Sequence, residues 1–171
     1  MAKGIVKAFA AKMPVVMKSR TQASLDKAMG SISKSYAKLV EKGKIAQDAM
    51  DAIMANISTT TDYATFADAD LVIEAAVEEM QLKKDVFMEL DKICKPEAIF
   101  ATNSSSLSIS EIAACTSRPT QFIGMHFFNP ADRMALVEVI KGQVTSEEVC
   151  KQIVDLATSI GKTPVLVNEA P

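Results

Sequence analysis

Histidine and cysteine are scarce in this sequence, which has one histidine and three cysteines among 171 residues. The cysteines, Cys94, Cys115 and Cys150, form no CxxC or Cys/His spacing of the kind that a structural metal site needs. We therefore expect no metal centre, and we expect the thiols to be buried or neutral. A catalytic cysteine is the disfavoured alternative, because only one imidazole is available to activate it.

An excess of positive charge and long apolar runs are lacking as well. The formal net charge is -2 and the isoelectric point is about 5.5, so the overall field does not attract a nucleic-acid backbone or an anionic membrane. No stretch approaches the roughly 20 apolar residues of a membrane helix, and the first residues lack the features of a signal peptide. We expect a cytoplasmic protein that binds neither nucleic acid nor membrane.

The sequence also lacks a glycine-rich turn, because none of its six glycines stand in a G-x-G arrangement. A nucleotide-binding α/β fold normally opens with a buried strand and such a turn, whose backbone N–H groups meet the pyrophosphate. Here the first predicted element is instead a helix, over 4–12.

What the sequence does contain is an alternation of short β-rich runs with helical stretches. Strands are predicted over 15–18, 71–75, 99–102, 122–128, 136–140 and 164–167, and further helices over 23–42, 46–57, 81–94, 108–114 and 146–160. Parallel strands need crossover connections, which are usually helices. The pattern therefore predicts a doubly wound α/β fold with a mostly parallel sheet and an inserted αα pair over 23–57.

Several residues mark where the helices begin and end. Gly43 and Gly161 follow two of the predicted helices, at the position where glycine commonly ends a helix. Ser108, with Glu111 three residues later, predicts the start of a short capped helix, and Ser146 predicts the start of the last one. No repeat or low-complexity linker divides the chain, so we expect one domain over 1–171.

Five segments in a fixed order resemble a known enzyme family. They are DLVIEAAVE at 70–78, ATNSSSLSI at 101–109, GMHFFNP at 124–130, LVEVI at 136–140 and GKTPV at 161–165. Together they resemble the 3-hydroxyacyl-CoA dehydrogenases, in particular the bacterial 3-hydroxybutyryl-CoA group, over essentially the whole chain. The resemblance implies a Rossmann-like nucleotide-binding domain, whose first strand and glycine-rich turn would precede Met1, and whose helical partner domain would follow Pro171.

The resemblance implies that His126 is the catalytic base, that Glu138 orients it, and that Ser105 hydrogen-bonds the substrate oxygen. Neutral imidazole is suited to removing the proton of an alcohol while hydride leaves. Without the resemblance, a satisfied core histidine would be the favoured interpretation of His126. Glu138, between Val137 and Val139, could simply face solvent by strand alternation, and the serines around Ser105 could only turn the chain.

The cofactor is expected to be NADP or NAD, with NADP favoured. Ser19 and Arg20 follow the first predicted strand, where an acidic residue would accept the ribose 2′-hydroxyl of NAD. A serine removes that carboxylate, and an arginine can pair with a 2′-phosphate. The alternative is a solvated Lys-Ser-Arg turn.

Further contacts follow from the resemblance alone. It places Glu78 and Lys83 near the nicotinamide ribose, Ala75 along the cofactor cleft, and Asn103 against cofactor or substrate. It assigns Asn129 an assisting position near the base. For coenzyme A it implies contacts at Ser35 and Lys42 in the αα pair, although lysines on such a helix more often form a solvated face.

A sheet without its central strand would leave two strands with unpaired backbone groups, each costing about 1 to 3 kcal/mol when buried. We therefore expect either a truncated chain or a sheet that is rearranged or completed by another molecule. Three functions remain open. The first is a dehydrogenase acting on acyl-CoA, homo-oligomeric in its full-length form. The second is a catalytically dead module that self-associates or binds a partner, and the third, weaker, is a lyase or structural lens protein.

Overall fold

The structure, a computed structural model, describes residues 1–170. These residues form two compact units, Met1–Asp62 and the part from Tyr63 onward. The predicted α/β class and the mostly parallel sheet are both confirmed. None of the helices within residues 1–170 combines the length and apolar character that crossing a bilayer requires.

The first unit is a small parallel α/β layer. It comprises α1 (Ala2–Ala10), β1 (Val15–Lys18), α2 (Gln22–Glu41), α3 (Gln47–Ala55) and β2 (Ile57–Thr60). β1 and β2 pair in parallel. The apolar faces of the helices pack against the strands around a core of Val6, Ala10, Met17, Leu25, Ile32, Tyr36 and Ile57.

Strand β2 is a correction to the sequence prediction, which continued the helix through Ile57 and placed no strand between 18 and 71. The helix ends earlier, at Ala55, and the Asn56 side chain donates a hydrogen bond to Ala10 O at 2.8 Å. Ile57 then begins a run rich in β-branched residues, which pairs with β1. The β-branched composition of residues 57–60 was the feature of the sequence that could have predicted this strand.

The second unit is a five-stranded sheet with helices packed on it. Its elements are β3 (Leu71–Glu74), α4 (Met80–Ile93), β4 (Ile99–Thr102), α5 (Ile109–Ala113), β5 (Phe122–Phe127), β6 (Leu136–Lys141), α6 (Glu147–Ser159) and β7 (Thr163–Asn168). The strand order is β3-β4-β5-β6-β7, and only the β5 to β6 pairing is antiparallel. The loops after β3 and β4 therefore lie at the same edge of the sheet.

An aromatic cluster and one arginine hold α4 onto this sheet. The ring centroids of Phe87 and Phe122 are 4.6 Å apart, and both residues are fully buried. Arg118 Nε donates to Asp91 Oδ1 at 2.7 Å, and the guanidinium lies 4.6 Å from the centroid of Phe100. Arg118 Nη1 also donates to Lys95 O at 2.6 Å, beyond the end of α4. This arginine ties the end of the helix to the sheet.

The predicted helix boundaries at serine and glycine are confirmed. Ser108 Oγ accepts from Glu111 N at 3.1 Å, and Ser146 Oγ accepts from Val149 N at 3.2 Å. Gly161 has a φ of 80°, the left-handed conformation that glycine adopts readily after a helix. The Glu111 side chain does not complete the capping box, because it pairs instead with Lys84 at 2.6 Å.

The three cysteines are neutral thiols, as predicted. Burial raises the pKa of Cys94, Cys115 and Cys150 above the ordinary thiol value. Within residues 1–170, no group of three or more histidine, cysteine, aspartate or glutamate side chains could hold a metal ion.

Candidate active site

His126 and Glu138 face each other directly across two antiparallel strands. They are register partners in the β5 to β6 pairing, and His126 Nδ1 lies 2.8 Å from Glu138 Oε2. Val137 and Val139 are fully buried on the other face of the sheet, because successive side chains of a strand point to opposite faces. Strand alternation therefore turns the Glu138 side chain away from the buried valines, as expected, and on that face the side chain meets the imidazole of His126.

The environment of His126 leaves one ring nitrogen available. A carboxylate can only accept, so neutral His126 donates to it through Nδ1–H, and Nε2 carries the lone pair. The side chains of both residues retain contact with solvent, with relative exposures of 16% for His126 and 37% for Glu138. The ring packs against Phe128, with centroids 4.7 Å apart. This arrangement can take up a proton at Nε2.

Gly124 allows the two strands to approach beside this pair. It is the register partner of Ile140, two residues before His126. A Cβ atom at this position would lie 2.7 Å from Ile140 Cβ, closer than real Cβ contacts allow. The glycine of the GMHFFNP segment therefore serves the pairing that sets the distance from His126 to Glu138.

Asn103 joins the end of β4 to the strands on either side. Its side-chain Oδ1 accepts from Phe127 N at 2.8 Å, and its own N–H donates to Glu74 O at 2.8 Å. Phe127 directly follows His126. The Asn103 side chain is thus brought next to the candidate base through the backbone of β5.

Glu78 binds the serine loop that follows β4. Its Oε1 accepts from the N–H of Ser105 at 2.8 Å and of Ser106 at 3.3 Å, and it also accepts from Ser104 Oγ. Burial tends to raise the pKa of Glu78, but these hydrogen bonds and the nearby Lys83 ammonium outweigh burial and hold the pKa below its usual range. The loop bearing Ser105 is therefore wrapped around a carboxylate.

Lys83 lies behind Glu78, within the protein. Its side chain has no exposed surface, and its Nζ lies 2.8 Å from Glu74 Oε2 and 3.4 Å from Glu78 Oε2. Glu74 also accepts from Thr102 Oγ1 at 2.7 Å and from Ala76 N at 2.5 Å. This buried cluster is fully hydrogen-bonded, and it joins β3, β4 and α4.

Glu74, Thr102 and Ser104 did not emerge from the sequence as site residues. All three are buried polar residues, with Ser104 only 1% exposed. The available signal was the single acidic residue at the end of an otherwise apolar strand, Leu71–Glu74. A charge at such a position requires a buried partner.

The remaining predicted residues lie at scattered places. Ala75 follows β3 and is half-buried, and Asn129 is exposed just after β5. In the first unit, Ser19 N donates to Thr60 O at 3.3 Å and Arg20 is exposed beyond β1. Ser35 Oγ donates to Ile32 O at 2.8 Å within α2, and Lys42 is exposed at the end of that helix.

Comparison with known proteins gives consistent matches. The family model described as "3-hydroxyacyl-CoA dehydrogenase, NAD binding domain" matches residues 1–170. A 3-hydroxybutyryl-CoA dehydrogenase of Clostridioides difficile is 50% identical over 100% of this chain and 61% of its own length. A probable 3-hydroxybutyryl-CoA dehydrogenase of Deinococcus radiodurans is 48% identical over 92% of this chain and 56% of its own length.

Solved structures agree with these sequence matches. The 3-hydroxybutyryl-CoA dehydrogenase of Escherichia coli has a TM-score of 0.98 and 37% identity, covering 100% of this chain and 36% of that one. The (S)-3-hydroxybutyryl-CoA dehydrogenase of Ralstonia eutropha has a TM-score of 0.96 and 38% identity, and the match covers 99% of this chain and 60% of that one. The chain therefore spans less than two thirds of the length of the proteins it matches.

Proposed function

Because this chain belongs to the 3-hydroxyacyl-CoA dehydrogenase family, we propose that it supplies the catalytic base of an enzyme that interconverts 3-hydroxyacyl-CoA and 3-oxoacyl-CoA. The observation that carries the proposal is the 2.8 Å contact between His126 Nδ1 and Glu138 Oε2. A base held by a carboxylate through one ring nitrogen is pre-oriented to use the other.

In the oxidation direction, His126 Nε2 takes the proton of the C3 hydroxyl as hydride leaves the same carbon. The positive charge that develops on the imidazole is stabilised by the Glu138 carboxylate at Nδ1. In reduction the imidazolium returns that proton to the new alkoxide. When bound, oxidised NAD or NADP would accept this hydride, and the reduced dinucleotide would supply it in the reverse direction.

Ser105 is proposed to hydrogen-bond the substrate oxygen that His126 protonates or deprotonates. Its side chain is exposed in the loop at the carboxyl end of β4, the edge of an α/β sheet where ligands bind. Asn103, whose Oδ1 holds the backbone beside His126, is proposed to contact cofactor or substrate through its remaining amide N–H groups. Asn129 is proposed to assist near the base.

The residues present fit one end of a nicotinamide dinucleotide. The partly exposed Glu78 carboxylate can accept a ribose hydroxyl, beside Ala75 at the carboxyl end of β3. No G-x-G occurs in the sequence to cradle a pyrophosphate. The proposal for these residues is therefore limited to the ribose and nicotinamide end.

We propose that the enzyme accepts NADP as well as the NAD named for its family. The support is the local chemistry. Ser19 and the exposed Arg20 directly follow β1, at the position where an NAD-binding domain would have an acidic side chain. An arginine guanidinium pairs well with a phosphate. For the coenzyme A phosphates, the exposed Lys42 at the C-cap of α2 is proposed as a cationic contact, together with Ser35 about two turns earlier in that helix.

The test is reduction of acetoacetyl-CoA by NADH or NADPH. His126→Gln is expected to lower kcat by about 10²-fold to 10⁴-fold, the usual contribution of a general base. The matched control is Glu148→Gln on α6, an exposed residue, which should leave turnover unchanged. Equal turnover by the wild type and His126→Gln would reject the base assignment. Calorimetry without nicotinamide binding, together with oligomers by light scattering, would favour a self-associating module instead.

A further inference from the structure

Two loops at the carboxyl ends of neighbouring strands are joined through one carboxylate. The first loop connects β3 to α4 and carries Glu78, and the second connects β4 to α5 and carries Ser104 to Ser106. Glu78 Oε1 receives the N–H of Ser105 and Ser106 and the hydroxyl of Ser104. Ser104 Oγ in turn accepts from Leu107 N at 2.9 Å. Three consecutive serines thus converge on a single oxygen.

The other oxygen of Glu78 forms an ion pair with a group inside the protein. Lys83 Nζ lies 3.4 Å from Glu78 Oε2 and 2.8 Å from Glu74 Oε2, and Lys83 is fully buried. Glu74 is itself held by Thr102 Oγ1 and Ala76 N. Two carboxylates therefore share one ammonium, and Lys83 has no surface of its own to offer a ligand.

We propose that Glu78, in addition to its proposed ribose contact, is a positioning residue for Ser105, and that Lys83 holds the Glu78 carboxylate in place. The buried pair of Glu74 and Lys83 fixes the direction of the Glu78 carboxylate. That carboxylate then fixes the backbone of the serine loop, so that the Ser105 hydroxyl points toward the reacting oxygen. The catalytic consequence rests on the proposed function, whereas the ordering of the loop does not.

The physical reason is the cost of ordering such a loop. A run of serines outside regular secondary structure has many accessible backbone conformations, and fixing each residue costs about 1 to 2 kcal/mol in conformational entropy. Hydrogen bonds to a charged acceptor are stronger than those to a neutral one. The lowered pKa of Glu78, which its serine hydrogen bonds and Lys83 produce against the opposing effect of burial, keeps that acceptor charged at neutral pH.

The first test is amide hydrogen exchange by NMR on the full chain, which needs no cofactor and no turnover. Glu78→Ala should accelerate exchange at Ser105 and Ser106 by about tenfold or more, as the loss of a hydrogen bond to a charged group implies. Glu79→Ala is the matched control, since the neighbouring Glu79 is exposed and its side chain makes no capping bond to α4. Unchanged exchange at both serines in Glu78→Ala overturns the proposal, whatever the activity.

The role of Lys83 is tested by the pair Glu74→Gln and Lys83→Met in one protein. Changing Lys83 alone would leave two carboxylates unpaired in or near the interior and could prevent folding, so both charges are removed together. The double variant should also accelerate exchange at Ser105 and Ser106, by about tenfold. Wild-type exchange rates in a folded double variant would show that Lys83 does not hold Glu78.

Kinetics separate positioning from simple cofactor contact. A positioning role predicts that Glu78→Gln lowers kcat by about 10²-fold, the scale expected when a reacting group is misplaced, with a smaller change in the KM for the dinucleotide. An increase confined to that KM would show that Glu78 acts in catalysis only as a cofactor contact, and would overturn its catalytic role toward Ser105. Faster exchange with both kcat and that KM unchanged would uphold the loop contact and reject the proposed function of Ser105.

Discussion

Glu169 accepts a hydrogen bond from Ser108, and its Oε1 lies 2.6 Å from Ser108 Oγ. This bond joins the residue after β7 to the N-cap residue of α5. Its carboxylate also accepts from the hydroxyl and the N–H of Ser110. Burial tends to raise the pKa of Glu169, but the hydrogen bonds from Ser108 and Ser110 outweigh burial and lower it. The charged form is therefore the one that the folded state prefers.

This contact should make stability depend on pH in a defined direction. A carboxylate with a lowered pKa stabilises the fold above its unfolded value of about 4.3, and that stabilisation is lost as pH falls through the folded value. Urea unfolding of the wild type and Glu169→Gln should therefore differ most at pH 7 and converge in acid. A difference that grows toward low pH would contradict the assignment. Glu148→Gln, on the exposed face of α6, is the control.

The tautomer of His126 is a direct prediction from its contact with Glu138. We expect the neutral ring to carry its proton on Nδ1, because the carboxylate 2.8 Å away can only accept. Since the chain has one histidine, a long-range proton to nitrogen correlation spectrum reports this ring without assignment. Glu138→Gln should give a mixture of tautomers, and a wild-type ring protonated mainly on Nε2 would contradict the geometry.

Gly124→Ala should destabilise the protein by about 1 to 3 kcal/mol, the usual cost of overpacking. The added Cβ would lie 2.7 Å from Ile140 Cβ, which has no freedom to move away by rotation. Gly30→Ala is the opposite control, because Gly30 lies within α2 with nothing within 4 Å of an added Cβ. That substitution should stabilise the protein by roughly 0.5 to 1 kcal/mol. Equal effects in urea unfolding would contradict the packing argument.

Arg118→Met should cost about 3 kcal/mol of unfolding free energy, the scale for breaking a buried ion pair. It would leave Asp91 and the carbonyl of Lys95 without their guanidinium donor. Arg118→Lys should recover little of this loss, because a single ammonium cannot reproduce the hydrogen bonds that the planar guanidinium donates from several nitrogens. Lys151→Met, which breaks an exposed pair with Asp155, should change stability by less than about 0.5 kcal/mol.

Cofactor preference should respond to Arg20. Arg20→Glu is expected to weaken NADPH relative to NADH by about tenfold or more, because a carboxylate repels a 2′-phosphate that an arginine would pair. Fluorescence titration of the two reduced dinucleotides measures the ratio. Arg133→Glu makes the same change of charge at an exposed position of the second unit and should leave the ratio unchanged. An identical response of both variants would indicate a general charge effect.

Local signals predicted most elements of the fold, because apolar periodicity and capping residues act over a few positions. The strand over 99–102 and the serine cap at Ser108 are examples. Strand β2 was missed because its neighbour, β1, lies about forty residues earlier, and local preference at Ile57 did not distinguish a helix end from a strand. Pairing of distant segments is a property of the folded chain.

The candidate site shows the same division. His126 and Glu138 were identified by the resemblance, and their contact depends on the register of β5 and β6. The fully buried position of Lys83 could not be read from the sequence, because a lysine one turn into an amphipathic helix normally faces solvent. Its ion pair with Glu74 arises only when α4 packs over β3.

The loop that connects β5 to β6, residues 128–135, lies outside the strand pairing that sets the separation of His126 and Glu138. Because Val137 and Val139 bury one face of β6, the apolar pattern itself specifies the register of the ladder, and the loop is the part that tolerates changes of length. Divergent members of a lineage could therefore remodel the surface beside the imidazole while inheriting the same contact between histidine and carboxylate. The length of this loop and the contact between His126 and Glu138 can in this way change independently in evolution.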